Sequence, residues 1–426
     1  MVREDHKESE QQIRAMWRRN FHDPEAYEDF YFEEIYRKNE VLVCPILDNQ
    51  QEETGQYKGM LHLNPYGLNV RGERISAHYI VGVATDRVWR RQGVMRELIY
   101  NALNLLRRRG EVFCYLMPAD PAYYRPFGFR YGADWLEVRM VWQPDGPGEN
   151  IHVVSRFDNV GDAEIAAARE NKQADLCRFV STWIDTAYYE VLEKEAISDH
   201  ADVCYVYDQG EYAGRFLAAI DENEDEEEDD CDGCLLLSRI NCCQKDRRAF
   251  IQALFAYCYD HYGCRDFRLI LDESWEDVFL GEEEIPGTHI LSIKRKPMIM
   301  FRILNLEEAG RFLEAGTDFS MVLKVRDRQV PDQSGTYYLK ALGGICTIDR
   351  LAPGQEGSDR NSPALGSGKE VCHGGEISIG DLTDIFFGRD RDSISGSGWP
   401  PGLTREGRRA VQSIRPLQGN CIMEYV

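Results

Sequence analysis

The sequence predicts a mixed α/β protein with more than one domain. The chain has 426 residues, which is longer than one ordinary hydrophobic core supports and indicates about two to four domains. Its composition, 43% hydrophobic and 29% charged residues, is typical of soluble globular proteins. Short runs with strand-like alternation or continuous apolar character are followed by segments with helical periodicity, and this succession favours sheets covered by helices.

The first segment contains a strand–helix–strand unit. Two runs, 41–47 and 57–70, alternate as strands do, and "AHYIVGVAT" (77–85) has the apolar, β-branched character of a buried strand. A helix follows, because apolar residues recur at three- and four-residue spacing at Met95, Leu98, Ile99, Ala102, Leu105 and Leu106. Three arginines and Gly110 predict its end, and "EVFCYLM" (111–117) predicts the next buried strand.

Two further segments are predicted after a linker at 143–150 that is rich in glycine and proline. The second segment is predicted to have helices at 163–172, 174–194 and 245–262, with strands at 202–207, 212–220, 235–240 and 267–272. The third begins near Met298 and is predicted to contain strands at 319–327 and 335–342, a helix at 404–414 and a last strand at 421–426. Stretches 352–369 and 388–402 predict long surface loops.

The charge restricts the class of partner. A formal net charge of −23 argues against binding to nucleic-acid phosphates as the main activity and favours cationic substrates. Part of this charge lies in "DENEDEEEDDCD" (221–232), which we interpret as a solvated loop. The amino terminus has no apolar signal region, and no run is apolar enough for a membrane span.

The 13 cysteines are scattered through the chain, so we expect reduced thiols and a cytoplasmic location. Cys231 and Cys234 have a C-x-x-C spacing, but no second pair of metal ligands lies at the distance that zinc sites require. We therefore expect no metal site.

The stretch "VWRRQGVMRELI" (88–99) places arginines and Gly93 where the buried strand turns into the helix. Such a turn is either a plain helix cap or a binding site for an anion, because a helix start offers free N–H groups and a positive dipole. The pattern resembles the R/Q-x-x-G-x-G/A acyl-CoA motif of the GCN5-related N-acetyltransferases (GNAT), with Arg90, Gly93 and Met95 at its positions. Met95 departs from the small residue usual there.

Further motifs narrow the resemblance. The chain also carries "NFHDPEAY", "LHLNPYGL", "PADPAYYRPFGFRYG", "RILNLEEAGRF" and a terminal "IMEYV". With these motifs it resembles, over nearly its whole length, the enhanced intracellular survival (Eis) acetyltransferases. The resemblance implies two tandem GNAT-like domains, at 1–145 and 150–292, and a sterol-carrier-like α+β domain at 296–426. It also implies a hexamer that acetylates amines of aminoglycosides, polyamine-like cations or protein lysines.

The same resemblance implies a site for acetyl-CoA as the acetyl donor. The implied residues lie on the strand, on the turn and after the following strand: Val81, Gly82, Val83, Arg91, Gln92, Gly93, Val94, Met95, Arg96, Ala119 and Asp120. Strand backbone groups can pair with the amides of pantetheine as a sheet edge does, and glycine lets the pyrophosphate approach.

Tyr124, in Y-x-x-FGF, is the implied general acid for the leaving thiolate. Tyr123 is a competing candidate, and either ring could equally serve packing. The implied base is the terminal carboxylate of Val426, with Phe21, Asp23 and Glu424 lining the amine pocket. The alternative function is a non-catalytic sensor that binds acyl-CoA or a lipid.

Overall fold

The computed structural model describes residues 2–4, 9–143, 151–221, 234–281, 283–352, 371–387, 399–417 and 419–422. Most of the predicted linker, most of the acidic run, most of the two predicted long loops and the last four residues lie outside these ranges.

The first unit has strands and helices in the predicted order. Its elements are β1 (Arg3–Glu4), α1 (Glu10–Asn20), α2 (Glu25–Phe30), β2 (Glu40–Leu47), β3 (Glu53–Val70), β4 (Glu73–Thr85), α3 (Val94–Arg108), β5 (Phe113–Leu116), α4 (Pro121–Tyr124) and β6 (Arg130–Trp142). A π-helical turn, Tyr31–Ile35, continues α2. Helix α3 buries the face that its apolar periodicity predicted, and Gly110 follows its end with a φ of 82°.

The second unit repeats this order. Its elements are β7 (His152–Val154), α5 (Val160–Cys177), β8 (Val180–Thr182), α6 (Thr186–Ser198), β9 (Asp202–Asp208), β10 (Glu211–Ile220), β11 (Leu235–Cys242), α7 (Arg247–Tyr262), β12 (Asp266–Asp272), α8 (Glu276–Phe279) and β13 (Thr288–Ile303). The single helix predicted at 174–194 is wrong. Strand β8 interrupts it, because Val180 to Thr182 pair with β3 of the first unit, and this tertiary pairing outweighs local helical preference.

The two units exchange their last strands. The large sheet runs β1-β2-β3-β4-β5-β13-β6-β12-β11-β10-β9-β7, so β13 of the second unit lies beside β5 of the first, and β6 of the first lies beside β12 of the second. Strands β6 and β13 are antiparallel neighbours over most of their lengths. The predicted boundary at 292–296 falls inside β13, which therefore belongs to the cores of both units.

The third unit is a six-stranded sheet with helices. Its elements are α9 (Leu306–Gly310), β14 (Glu314–Ala315), β15 (Phe319–Arg326), β16 (Gly335–Leu342), β17 (Ile345–Arg350), β18 (Cys372–Ser378), α10 (Ile379–Phe387), α11 (Arg405–Ser413) and β19 (Ile414–Arg415). The strand order is β18-β15-β16-β17-β14-β19. Helix α10 packs on the exchanged strands, where the ring of Phe387 stacks on Phe301 with centroids 4.1 Å apart.

Candidate active site

The large sheet opens between β4 and β5. These strands are parallel, and their ladder consists of one pair, Tyr79 with Tyr115. Beyond that pair, β4 bulges at Gly82, whose φ of 58° lies in the left-handed region. The predicted residues Val81 to Val83 occupy this bulged stretch, so their backbone lies along an opening in the sheet, where an extended ligand can hydrogen-bond as a strand does.

Helix α3 begins beside this opening with its backbone donors uncapped. Gly93 is the N-cap residue at a φ of 84°, and no side chain caps the helix. Arg91 also has a positive φ, 61°, and alternation of such residues turns successive N–H groups toward one point. Arg91 and Arg96 are exposed here. Uncapped donors, a helix dipole and two cations make this turn suitable for a pyrophosphate.

The side chains of the turn have two distinct roles. Arg90 holds the turn in place, donating from Nε to the Thr85 carbonyl at 3.1 Å and from Nη2 to Asn20 at 3.2 Å. Arg96 lies over the glycine, where a Cβ at position 93 would stand 3.0 Å from its Nη2. A larger residue at 93 would fill the concavity that the phosphates need. The turn therefore fits the phosphates of acetyl-CoA, the predicted acetyl donor.

Tyr124 is the last residue of α4, which follows β5. Asp120 caps α4 by accepting from the Ala122 N–H at 2.8 Å, and the adjacent Ala119 is exposed. Tyr124 is 8% exposed, whereas Tyr123 is 57% exposed. Burial raises the pKa of Tyr124 to about 12, so its hydroxyl stays protonated at neutral pH.

A buried arginine braces the turn that carries Tyr124. Arg302, on the exchanged strand β13, donates from Nε to the Phe127 carbonyl at 2.7 Å and pairs through Nη2 with Asp327 at 2.6 Å. Both charged side chains are fully buried. Sequence analysis did not identify Arg302 as a site residue, although a lone cation inside the apolar run "MIMFRIL" is a signal that a buried partner is required.

Phe21 and Asp23, two of the residues predicted to line the amine pocket, lie on the face of the sheet that α1 covers. Trp17 joins its parts: its Nε1 donates to Asp23 at 2.8 Å, and its ring lies 4.8 Å from Phe21. The same ring packs on the bulge, since a Cβ at Gly82 would stand 2.7 Å from it. Trp17, which sequence analysis missed, thus links Phe21 and Asp23 to β4 at Gly82.

A buried polar cluster lies behind this wall. The Tyr31 hydroxyl and the His62 Nδ1 are 2.9 Å apart, and the Asn39 Nδ2 donates to the Asn64 Oδ1 at 2.8 Å. His62 packs against Gly82 as well. Side chains from the π-helical turn and β3 therefore fix the shape of the bulged strand. Local sequence patterns gave no sign of this cluster, because its members are far apart along the chain.

A cleft of about 270 Å³ opens between the first two units. Asn64 and Tyr66 form its wall on the first unit, and Trp183 and Tyr188 form its wall on the second. The Tyr66 ring centroid lies 6.5 Å from that of Tyr115, so the cleft adjoins the point where β4 and β5 separate. The cleft is therefore well placed for a substrate that accepts a group from a ligand bound in the opening.

The described chain ends against β8 and β6. Cys421 donates its N–H to the Val180 carbonyl at 2.8 Å, and the Ile422 carbonyl accepts from Trp135. The predicted residues Glu424 and Val426 lie outside the described residues.

Cys231 of the C-x-x-C pair also lies outside the described part of the chain. Within the described residues, no group of three or more His, Cys, Asp or Glu side chains could hold a metal ion. The described helices include none that is long and apolar enough to cross a membrane.

Comparisons with known proteins agree with this geometry. The model of the acetyltransferase (GNAT) domain family matches residues 1–132. The uncharacterized N-acetyltransferase YhbS of Escherichia coli is 29% identical over 101 residues, which are 24% of this chain and 58% of that protein. The chain therefore spans less than two thirds of the length of this relative.

Two solved structures are similar over the whole chain. A GCN5-related N-acetyltransferase from Anabaena variabilis has a TM-score of 0.73 at 16% identity and covers 100% of both chains. Eis1 from Mycobacterium abscessus has a TM-score of 0.68 at 12% identity, covering 99% of this chain and 100% of that one.

The first unit is thus an acetyltransferase domain of the GNAT family. The whole chain has the same fold as Eis1. The prediction of a mixed α/β protein with tandem GNAT-like units is confirmed.

Proposed function

We propose that this protein transfers the acetyl group of acetyl-CoA to primary amines of cationic substrates, which include aminoglycoside-like compounds, polyamines and lysine side chains. The observation that carries the proposal is the opening between β4 and β5 with the uncapped start of α3 at its edge. Acetyl-CoA supplies an acetyl thioester whose carbonyl carbon accepts the amine nitrogen. The turn from Arg91 to Arg96 holds the phosphates, and Val81 to Val83 orient the pantetheine.

Tyr124 is the proposed general acid. The C–N bond forms as the C–S bond breaks, and the Tyr124 hydroxyl donates its proton toward the departing sulfur. Its raised pKa, about 12, keeps the hydroxyl protonated for this step. A thiol, with a pKa of about 8.5, is the stronger acid, so the hydroxyl acts mainly through its hydrogen bond. Any proton that it gives to the sulfur is replaced by the proton that the acylated nitrogen loses when it becomes an amide.

The terminal carboxylate of Val426 is the proposed base. A primary amine is protonated at neutral pH and must lose a proton before it attacks. The carboxylate, directly or through water, accepts that proton. Phe21, Asp23 and Glu424 are proposed to hold the amine, and an acidic chain with a net charge of −23 attracts cations to this face.

The proposed assembly is the hexamer of the resembled family, with a sterol-carrier-like third domain at 296–426. Sedimentation velocity of the full chain tests the hexamer. A monomer at micromolar concentration would contradict it.

Thiol release from acetyl-CoA tests the activity. We expect release that depends on an added amine, measured with kanamycin, spermidine and a lysine peptide, and mass spectrometry should find the acetylated amine. Binding of acetyl-CoA without turnover for any amine would contradict the proposal and favour the sensor alternative.

A further inference from the structure

A second cleft lies between the first and third units, and the proposed reaction does not use it. Its volume is about 410 Å³. The turn after α4, residues 125–130, forms the wall on the first unit. The third unit supplies the other walls, which are the segments 326–329, 376–381 and 400–402. We call this space the arginine cleft.

Four guanidinium groups line the arginine cleft, and they come from both units: Arg125, Arg130, Arg326 and Arg328. Two of them have a carboxylate partner, since Arg130 pairs with Asp384 at 2.8 Å and Arg326 pairs with Glu376. The side chains of the other two, Arg125 and Arg328, make no ion pair or hydrogen bond within the described ranges. Two cations therefore line one cleft without a carboxylate partner.

The two unpaired arginines belong to segments that touch. Gln329 donates from Nε2 to the Pro126 carbonyl at 3.3 Å, and these two residues are the chain neighbours of Arg328 and Arg125. Arg130 joins the same turn by donating from Nη1 to the Arg125 carbonyl at 3.1 Å. Cations held near one another repel, and an anion bound between them removes this repulsion.

The carboxylates of the cleft do not balance these cations. Asp327 is fully buried and pairs with Arg302 at 2.6 Å, and Glu376 is already paired. Asp381, at the start of α10, accepts from the Ser378 hydroxyl at 2.6 Å and has no ion pair within the part of the chain that the structure describes. Two unpaired guanidinium groups and one unpaired carboxylate leave the cleft positive, although the whole chain has a net charge of −23.

Arginine binds phosphate and carboxylate groups through a planar fork of N–H donors, and these charge-assisted bonds are stronger than neutral ones. The volume of the cleft is also typical of sites that hold small molecules. We propose that the arginine cleft binds a small anion with at least two negative charges, carried by phosphate or carboxylate groups. Arg125 holds the anion from the first unit and Arg328 holds it from the third, so the bound anion links the two units.

Calorimetric titration of the full chain with citrate and with pyrophosphate tests the site. Citrate offers carboxylates and pyrophosphate offers phosphates, so the ligand that binds more tightly identifies the group that the cleft recognises. We expect binding of at least one of them at millimolar concentration. Binding of neither would overturn the proposal.

Variants locate the bound anion. Arg125→Gln and Arg328→Gln each remove one unpaired cation from an exposed position, and each should weaken binding at least about tenfold through loss of a charge-assisted hydrogen bond. Asp381→Asn removes the opposing carboxylate and should strengthen binding. Arg91→Gln is the control, because it removes an exposed arginine from the turn before α3, where an anion can also bind. Equal weakening by Arg91→Gln would place the anion at α3 and overturn the proposal.

Thermal unfolding gives a second measurement. An anion that links two units should raise the unfolding temperature of the wild-type protein and should raise that of Arg125→Gln much less. An equal rise in both proteins would contradict the site. Neither measurement requires turnover, so a failure of the proposed acetyl transfer leaves this proposal intact.

Discussion

The two GNAT-like units place different residues at the same point of the fold. In the first, Gly93 begins α3 and leaves the helix donors uncapped. In the second, the side chain of Asp246 caps α7 by accepting from the Ala249 N–H at 3.0 Å. A carboxylate of the chain thus occupies, in the second unit, the position that an anionic ligand would take in the first.

The neighbouring strands differ as well. Strands β11 and β12 pair over three residues, whereas β4 and β5 pair over one. Arg247 fills the adjoining space in the second unit, lying 3.9 Å from the centroid of the Trp275 ring. Among the described residues of the second unit, the strand pairing is thus longer and side chains occupy the space beside it.

The largest expected effect is on the proposed acid, Tyr124. Tyr124→Phe should lower kcat by about 10²- to 10⁴-fold, because the ring stays and the hydroxyl that hydrogen-bonds to the departing sulfur is lost. The Kd of acetyl-CoA should stay constant in calorimetric titration. Tyr123→Phe is the control and should retain activity, since Tyr123 is exposed. A larger loss in Tyr123→Phe would transfer the role to that residue.

A second change tests the open helix start. Gly93→Leu should weaken acetyl-CoA binding at least about tenfold, because the side chain both strains a φ of 84° and fills the phosphate concavity. Gly110→Leu is matched, with a φ of 82° at the other end of α3 and open space around it. Unchanged affinity in a folded Gly93→Leu variant would contradict the assignment.

A pH measurement tests Glu273, which follows β12 and accepts from the Gly419 N–H at 3.1 Å. Burial raises the pKa of Glu273 from 4.5 to about 7, so ionised Glu273 is disfavoured in the folded state. Its contribution to stability is fully present below pH 4.5 and is lost as the pH rises toward 7. Glu273→Gln removes this titration. We expect its destabilisation, measured by urea unfolding, to be greater at pH 5 than at pH 8 by about 1–2 kcal/mol. A difference that does not vary with pH would show that Glu273 titrates normally.

The smallest effect tests the closed helix start. Asp246→Ala should lower the free energy of unfolding by about 1 kcal/mol through loss of the cap. The Kd of acetyl-CoA should not change, because α7 lies outside the proposed donor site. A change in that Kd would show that the second unit contributes to binding.

Local patterns predicted the parts of the fold that depend on local physics. The periodicity from Met95 to Leu106 correctly predicted α3, and Gly93 and Gly110 correctly marked its ends. Long-range pairing could not be predicted in this way. Strand β8 looks helical along the chain and becomes a strand through β3, and nothing near Thr288–Ile303 indicates that it completes the sheet of another unit.

For the candidate site too, sequence motifs point to some residues and miss others. The turn at 88–99 and Tyr124 carry sequence motifs, and their roles stay predictions. Trp17 and Arg302 carry none, because their roles arise only from contacts with Asp23 and with Asp327, which is 25 residues distant along the chain.

The exchange of β6 and β13 also bears on how the protein is synthesised. Strand β5 gains its neighbour only after the ribosome has released residue 303, so a nascent first unit waits with an unpaired edge for most of the synthesis of the second. A fragment ending at residue 145 keeps every donor-site motif yet lacks that strand. Deleting the second unit would therefore remove a strand from the sheet of the first, since β13 pairs with β5.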